Sequence, residues 1–329
     1  MIGQRTPDTR TLRPEAVVAL GGGHGLHVTL SALRRVVADL TAIVTVADNG
    51  GSSGRLRDEF GVLPPGDLRM ALAALCGDDE WGQTWAKVLQ HRFSGTGELG
   101  GHVVGNVLIT ALWELLGEHA AGLDWVGRLL DAEGRVLPMS DQPLDIEAEV
   151  RGADPADPQA LSTVRGQKQI ALSPGSVTSI RLTPPDACAS AEALAAIEAA
   201  DWVFLGPGSW YTSVIPHLLL PDLRRALVTA PARKVVVLNL LGEDGETTGY
   251  TNVDLLAALF ERAPDLGLHA VLADRSAVHR RGDDADELTR AVASAGGSLV
   301  LADIAHADGT ARHDPVKLAD ACAQIIGDV

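Results

Sequence analysis

Val44-Thr45-Val46-Ala47-Asp48-Asn49-Gly50-Gly51-Ser52-Ser53-Gly54-Arg55 is a short strand that runs into an anion loop. The β-branched start predicts extended chain. The acid, glycines, serines and arginine that follow supply backbone N–H groups, hydroxyls and positive charge. Asn49-Gly50 is also a common hairpin turn, but a hairpin needs alternating apolar residues beyond it, and Gly51-Ser52-Ser53-Gly54-Arg55 has none. Towards the N-terminus, a second glycine cluster, Gly21-Gly22-Gly23-His24-Gly25, follows the apolar run Ala16–Leu20. Two such loops at the ends of successive strands imply a nucleotide-like ligand.

The first cluster can be tested against the dinucleotide pattern G-x-G-x-x-G with an acid near the end of the next strand. Gly21 and Gly23 fit and Asp48 stands where a ribose acid would, but the third glycine is replaced by Leu26. That demotes NAD. In the second loop Arg55 and Arg57 are candidates to neutralise phosphate, with Arg69 a weaker one. Asp48 is suited to a hydroxyl, a magnesium ion or a proton.

Around these loops strand and helix alternate. Strands are expected at Ala16–Leu20, Thr41–Val46, Trp202–Leu205, Lys234–Leu238, Leu268–Leu272 and Ser298–Leu301. Helices are expected at Leu26–Val37, Leu68–Leu75 (with Asp67 as N-cap), Trp81–Arg92, Val103–Leu116, Leu123–Leu130, Ala191–Ala199, Ser213–Leu227, Asn252–Arg262, Ala285–Ala295 and Pro315–Ile326. The fold class is therefore α/β, a Rossmann-like parallel sheet with helices on both faces. Leu144–Val150, Gln167–Ala171 and Ser176–Leu182 read as strands, so residues 141–185 are expected to be a small strand-rich insertion. Residues 1–14 read as a loose polar tail without a signal-peptide core, and 15–329 as a single α/β domain carrying that insertion.

Composition narrows the function. The chain of 329 residues carries a net charge of -16, which opposes general nucleic-acid binding but allows a small anion held by local N–H groups and arginines. Apolar runs are too short and interrupted for a membrane span. Three widely separated cysteines, Cys76, Cys188 and Cys322, fit a reducing cytoplasm, and no metal-type spacing is present.

Three more loops fall at strand ends or helix starts: Gly100–Asn106, Gly206–Ser213 and Asn239–Tyr250. In open parallel sheets ligands bind beyond the carboxyl ends of the strands, so a crevice shared by these loops is the economical reading. No Walker A motif or nucleophile elbow is present, and Gly208-Ser209-Trp210 lacks the flanks of a hydrolase serine.

GGGHGL, TAIVTVADNGGSSGRLR, LPPGDLR, HRF, GHVVGN, GPGSWYTSVIP and LNLLGEDGETTGYT occur in that order. This series resembles the motifs of the YvcK family, the so-called gluconeogenesis factors, relatives of the CofD-type phospholactate transferases. The resemblance runs from about Val17 to Asp254 and points to the actinobacterial branch. It implies a modified Rossmann-like fold, binding of a UDP-sugar (chiefly UDP-N-acetylglucosamine) and a cytoplasmic role coupling carbon supply to cell-wall synthesis and cell shape. Carried over by position, it implies a ligand cradle of Gly21, Gly22, Gly23, His24, Gly25, Asp48, Asn49, Gly50, Gly51, Ser52, Ser53 and Arg55. To these it adds Asn106, Gly206, Gly208, Ser209, Tyr211, Thr212, His217 and Asn239. His24, Asn49, Met70 and His217 depart from the family's usual threonine, second aspartate, asparagine and asparagine.

Two functions follow as expectations. The first is a UDP-sugar-binding regulatory protein, homo-oligomeric, with a protein partner in cell-wall precursor synthesis, no required cofactor, no nucleic acid and no membrane. The alternative is a CofD-like 2-phospholactate-type transferase using a nucleoside diphosphate-activated donor. There Asp48 would hold Mg2+ or orient the acceptor, and Arg55 would neutralise the leaving phosphate. Asn49 in place of a second acid favours the regulator, because a carboxylate pair binds magnesium better than an acid with an amide.

Overall fold

The computed structural model describes residues 13–154, 156–157, 159–240, 246–247, 249–280 and 284–327. Its centre is a seven-stranded sheet built from β1 (Arg13–Gly21), β2 (Val37–Val44), β3 (Arg135–Pro138), β7 (Trp202–Leu205), β8 (Arg233–Val237), β9 (Ala270–Asp274) and β10 (Ser298–Ala302). The order is β10-β9-β8-β7-β1-β2-β3 and the pairings are parallel. Buried on both faces, such strands must be nearly continuous in apolar residues, and Trp202–Leu205 and Val17–Leu20 are. Trp202, Trp210 and Phe204 are the largest wholly buried side chains.

The order places β1 between β2 and β7, with Leu20 opposite Ile43 on one side and Leu205 on the other. The chain winds outward from β1 to β3, then returns to β1's other edge and winds to β10. Loops leaving β1 and β7 in opposite directions open a crevice at their carboxyl ends, the switch point where α/β sheets bind ligands. The glycine loops after β1 and β7 both stand there, beside the Asp48 loop after β2.

Six helices of the first half are α1 (Gly23–Leu33), α2 (Gly51–Phe60), α3 (Pro65–Ala74), α4 (Glu80–Gln90), α5 (Val104–Leu116) and α6 (His119–Leu130). Several expectations change here. The segment read as an irregular loop to Arg57 becomes helical at Gly51, because Gly51 starts a turn that buries Ser52, Ser53 and Leu56 and leaves Arg55 exposed. Asp67 lies inside the first turn of α3 instead of capping it; Pro65, which needs no N–H partner, begins the helix. β1 begins at Arg13, so the last two residues assigned to the tail belong to the sheet, whereas 1–12 lie outside the described residues. The span expected as one helix, 213–227, is broken by Pro216 and Pro221 into a wide turn at Trp210–Val214 and helices Pro216–Leu219 and Pro221–Thr229.

The insertion is an antiparallel sheet of order β5-β4-β6, formed by β4 (Asp145–Arg151), β5 (Leu161–Arg165) and β6 (Ser176–Thr183). Gln167–Ala171, read as a strand, is a short helix; Leu161–Arg165 supplies the strand instead. No helix among the described residues is long and apolar enough to cross a membrane.

Candidate functional site

The helices α1 and α2 begin in the same unusual way. Each has a glycine N-cap in extended conformation, Gly22 and Gly50, with no side-chain cap. Each then has a glycine at positive φ, Gly23 at 55° and Gly51 at 51°, where a side chain would be strained. Neither N-cap offers a side chain to the first turn, although Asp67 accepts the Gly23 N–H, and each helix start carries partial positive charge.

Close approach explains the neighbouring glycines. A Cβ on Gly22 would stand 2.5 Å from Thr45 Cγ2 and 2.7 Å from Asp67 Oδ2. One on Gly25 would collide with the Pro207 carbonyl and lie 2.6 Å from Gly208 Cα, so the loops after β1 and β7 meet backbone to backbone. In the second loop, Gly50 N–H donates to Asp48 Oδ1 (2.8 Å), closing an Asx turn. Ser52 Oγ accepts the Val103 N–H (3.2 Å) and shares a hydrogen bond with His102 Nδ1 (3.2 Å). Asn106 Nδ2 donates to Ser53 Oγ (3.5 Å). Both serines thereby lock α2 to the start of α5.

Three arginines bear on this end of the sheet. Arg55 is exposed and donates to Gly100 O (2.9 Å), and Arg92 donates to Gly101 O (2.6 Å). Arg69 is buried, packed where a Gly105 side chain would be, and its Nε has no partner. Burial first, and then repulsion from Arg92, pulls its pKa down to about 10, which leaves it cationic at neutral pH. Facing it is Asp67, whose carboxyl accepts the Gly23 N–H; burial, then the charge of Asp48, pushes its pKa up to about 7.

Buried polar atoms without partners gather at the same place. They are Thr45 Oγ1, Asp67 Oδ2, Arg69 Nε, Asn106 Oδ1 and Thr212 Oγ1. Each such atom costs about 1–3 kcal/mol when left unpaired. Five of them around one crevice mark a surface shaped for a polar guest.

The structure divides the expected residues. Gly21–Gly25, Asp48, Gly50–Ser53, Arg55, Asn106 and the Gly206–Thr212 turn all meet at the switch point. Within that turn, Gly206 has a positive φ, Ser209 is half-buried, and Tyr211 is buried with its N–H on Glu246 Oε1 and its hydroxyl 3.2 Å from that of Tyr250. His24 is exposed at the second position of α1, available at the mouth.

Others are occupied elsewhere. His217 is wholly buried, its ring nitrogens facing the carbonyls of Val214 (3.3 Å) and Ile43 (3.2 Å), and burial lowers its pKa to about 4. Its imidazole joins the end of β2 to helix Pro216–Leu219 and offers no free nitrogen to a ligand. Asn239 clamps Gly208, accepting its N–H and donating to its carbonyl at 2.9 Å each, so it shapes the turn. The Asn49 side chain donates to Gln169 Oε1 (3.0 Å) and accepts the Lys168 N–H (3.4 Å). Arg57 pairs with Asp145 (2.9 Å) and donates to Leu144 O, which removes it from phosphate duty.

Asp67, Arg92 and Thr45 emerge only in three dimensions, and Arg69 rises from a weak candidate to the most buried cation of the crevice. Asp67 follows Gly66, whose missing Cβ (it would lie 3.1 Å from Asp48 Oδ2) lets the Asp48 loop pack against the start of α3. No group of three or more metal-ligating side chains exists among the described residues.

Comparison with known proteins places this geometry. Residues 17–308 match the family model described as 2-phospho-L-lactate transferase CofD. A relative from Mycobacterium leprae (strain TN) is 51% identical over 308 residues, covering 94% of this chain and 85% of its own. The gluconeogenesis factor of Halalkalibacterium halodurans is 38% identical over 250 residues, covering 76% of this chain and 74% of its own. A crystal structure of a UPF0052 family member from Bacillus halodurans superposes with a TM-score of 0.82 at 32% identity, over 94% of this chain and 99% of its own.

Proposed function

The chain belongs to the CofD family, among its gluconeogenesis-factor relatives, and on that premise we propose that it is a nucleotide-sugar-binding regulatory protein. Its ligand is of the UDP-N-acetylglucosamine type, and it links carbon metabolism to cell-wall synthesis and cell shape through a protein partner. The observation that carries this reading is the pair of glycine-started, uncapped helices at the switch point with the unpartnered Arg69 Nε between them. A diphosphate supplies the acceptors that those donors lack, and the helix starts and three arginines offset its charge against a net charge of -16. His24, at the mouth, is then positioned to contact the sugar instead of the nucleotide.

One observation favours a second reading, the CofD-like transferase. Asn49 is not the second acid, but Asp67 stands close enough to Asp48 for their charges to repel. Two carboxylates beside a phosphate cradle fit a magnesium ion, which takes one or two carboxylates together with phosphate oxygens. Such an ion would neutralise charge on the phosphates. Asp48 and Asp67 would hold it, and Arg55 and Arg69 would face the leaving nucleoside monophosphate.

Thermal shift with UDP-N-acetylglucosamine, UDP-glucose, UDP, GDP and NAD, with and without magnesium, tests both. Ligand at a hundred times its Kd adds about 2.7 kcal/mol of stability, several degrees in a scan. A magnesium-independent shift with a UDP-sugar and no product on incubation is the expected result. A shift confined to GDP with magnesium selects the transferase, and a response to NAD alone defeats both.

A further inference from the structure

Resting on the diphosphate reading, we propose that Lys168, carried by the insertion, is a further phosphate-binding residue and couples ligand occupancy to the insertion sheet. The short helix Gln167–Ala171 is held against the Asp48 loop by a close fit. Gly166, at φ 94°, lets it approach, since a Cβ there would collide with Asn49 Nδ2. Asn49 then grips the helix through Gln169 and the Lys168 N–H.

This seating lays the Lys168 stem over the start of α2. Its Cδ lies 3.8 Å from the point where a Cβ on Gly50 would stand, with one methylene and the ammonium still beyond. The side chain is exposed, and its ammonium makes no ion pair among the described residues. Asp48, whose Oδ1 is turned onto Gly50 N–H, is the acid beside it, and Arg55 the cation on the same helix. An exposed ammonium over a helix start with no N-cap side chain adds charge where the helix dipole already favours an anion.

The insertion also touches the other shore. Val177 O on β6 accepts the Tyr250 hydroxyl (3.1 Å), which meets Tyr211 of the turn after β7. A ligand that engages Lys168 therefore steadies a segment anchored at both sides of the crevice.

The test is calorimetric titration of wild type, Lys168→Ala and Lys168→Arg with UDP-N-acetylglucosamine and with inorganic pyrophosphate at two salt concentrations, alongside hydrogen exchange of residues 161–183. Lys168→Ala is expected to bind both probes about tenfold more weakly, with a shallower salt dependence, while Lys168→Arg recovers most of the loss. Ligand is expected to slow exchange in β5 and β6 of the wild type and much less in Lys168→Ala. Because the side chain is exposed, the unliganded melting temperature should not move. Wild-type binding with unchanged affinity in Lys168→Ala, or equal slowing of exchange in both proteins, overturns this inference and leaves the diphosphate reading standing. A wild type that binds neither probe removes both.

Discussion

Helices at the crevice and helices remote from it begin in different ways. At the crevice, α1 and α2 start on paired glycines with no N-cap side chain, and of their first N–H groups Gly23's is taken by Asp67 from another helix. Elsewhere, Asp79 accepts from Gly82 N–H at the head of α4, Thr251 and Asp254 form a reciprocal capping box on helix Asn252–Arg262, and Asp284 caps helix Ala285–Ser294. A side-chain cap satisfies the orphan donors at once; a glycine leaves them for another partner. Bareness alone does not separate the two regions, because α6 and helix Ala191–Ala199 also lack side-chain caps. What separates them is the left-handed glycine at the first helical position, together with a buried cation facing it.

The largest expected effect attacks the electrostatics of the crevice. Asp67 is more basic in the fold than in the unfolded chain, at about 7 against 3.8, chiefly through burial and then through Asp48. The folded state therefore binds the extra proton, and stability falls as pH rises from about 4 to about 7, then levels. The full span corresponds to at most about 4 kcal/mol. Asp67→Asn should flatten this part of the pH profile and, above pH 7, be more stable than wild type in urea titrations. An unaltered slope would place Asp67 outside the coupled pair.

Next comes the backbone contact between the two glycine loops. Gly25→Val sets a branched side chain against the Pro207 carbonyl and Gly208 Cα, neither of which has a rotamer to change. A loss of about 3 kcal/mol is expected, read by chemical denaturation. If Gly25→Val melts like wild type, the two loops do not meet as described.

The histidines give a third, smaller contrast. His217→Ala should lower stability by about 2 kcal/mol, through a lost packed ring and its hydrogen bond, with ligand affinity unchanged once unfolding is allowed for. His24→Ala should do the opposite: stability unchanged, and discrimination between UDP and UDP-N-acetylglucosamine altered. Equal losses for both ligands would put His24 against the nucleotide.

These residues also show what the sequence could and could not say. The glycine loops were legible because strings of glycine, serine and acid at strand ends have few other uses. The parallel sheet was legible because strands buried on both faces must be continuously apolar. Sidedness was not legible. Arg55 and Arg57 are two residues apart, about 200° around a helix, so once α2 is recognised only one of them can face the crevice; Arg57 turns to Asp145. His217 looked like a ligand group from its motif, yet its short helix is packed inside the core. Asp67 looked like a cap because an acid before an apolar run usually is one, but Pro65 had already begun the helix. The insertion was found and its middle misread, because the five residues Gln167–Ala171 carry no period long enough to separate helix from strand.

The smallest effect sharpens the comparison from the capped side. Thr251 Oγ1 accepts the Asp254 N–H at 3.1 Å, and Asp254 Oδ2 accepts the Thr251 N–H at 2.9 Å. Thr251→Ala removes the first of these and the hydroxyl's own bond to Asp254 Oδ2 (2.8 Å), and leaves Asp254 to hold the Thr251 N–H, for an expected loss of about 1 kcal/mol. The helix that it caps lies beyond the loop after β8, and its donors are already satisfied within the chain. Ligand affinity should therefore not change, and added UDP-N-acetylglucosamine should raise the melting temperature of Thr251→Ala and wild type by the same increment. Gly51→Ala makes the matched test on α2. Its Cβ meets nothing within 4 Å, so its penalty is the left-handed backbone alone, also about 1 kcal/mol, but here relaxing the strain re-aims the first-turn N–H groups. A smaller ligand-induced increment in Gly51→Ala than in Thr251→Ala, at equal loss of stability, would show that one region is built to hold itself and the other to hold a ligand.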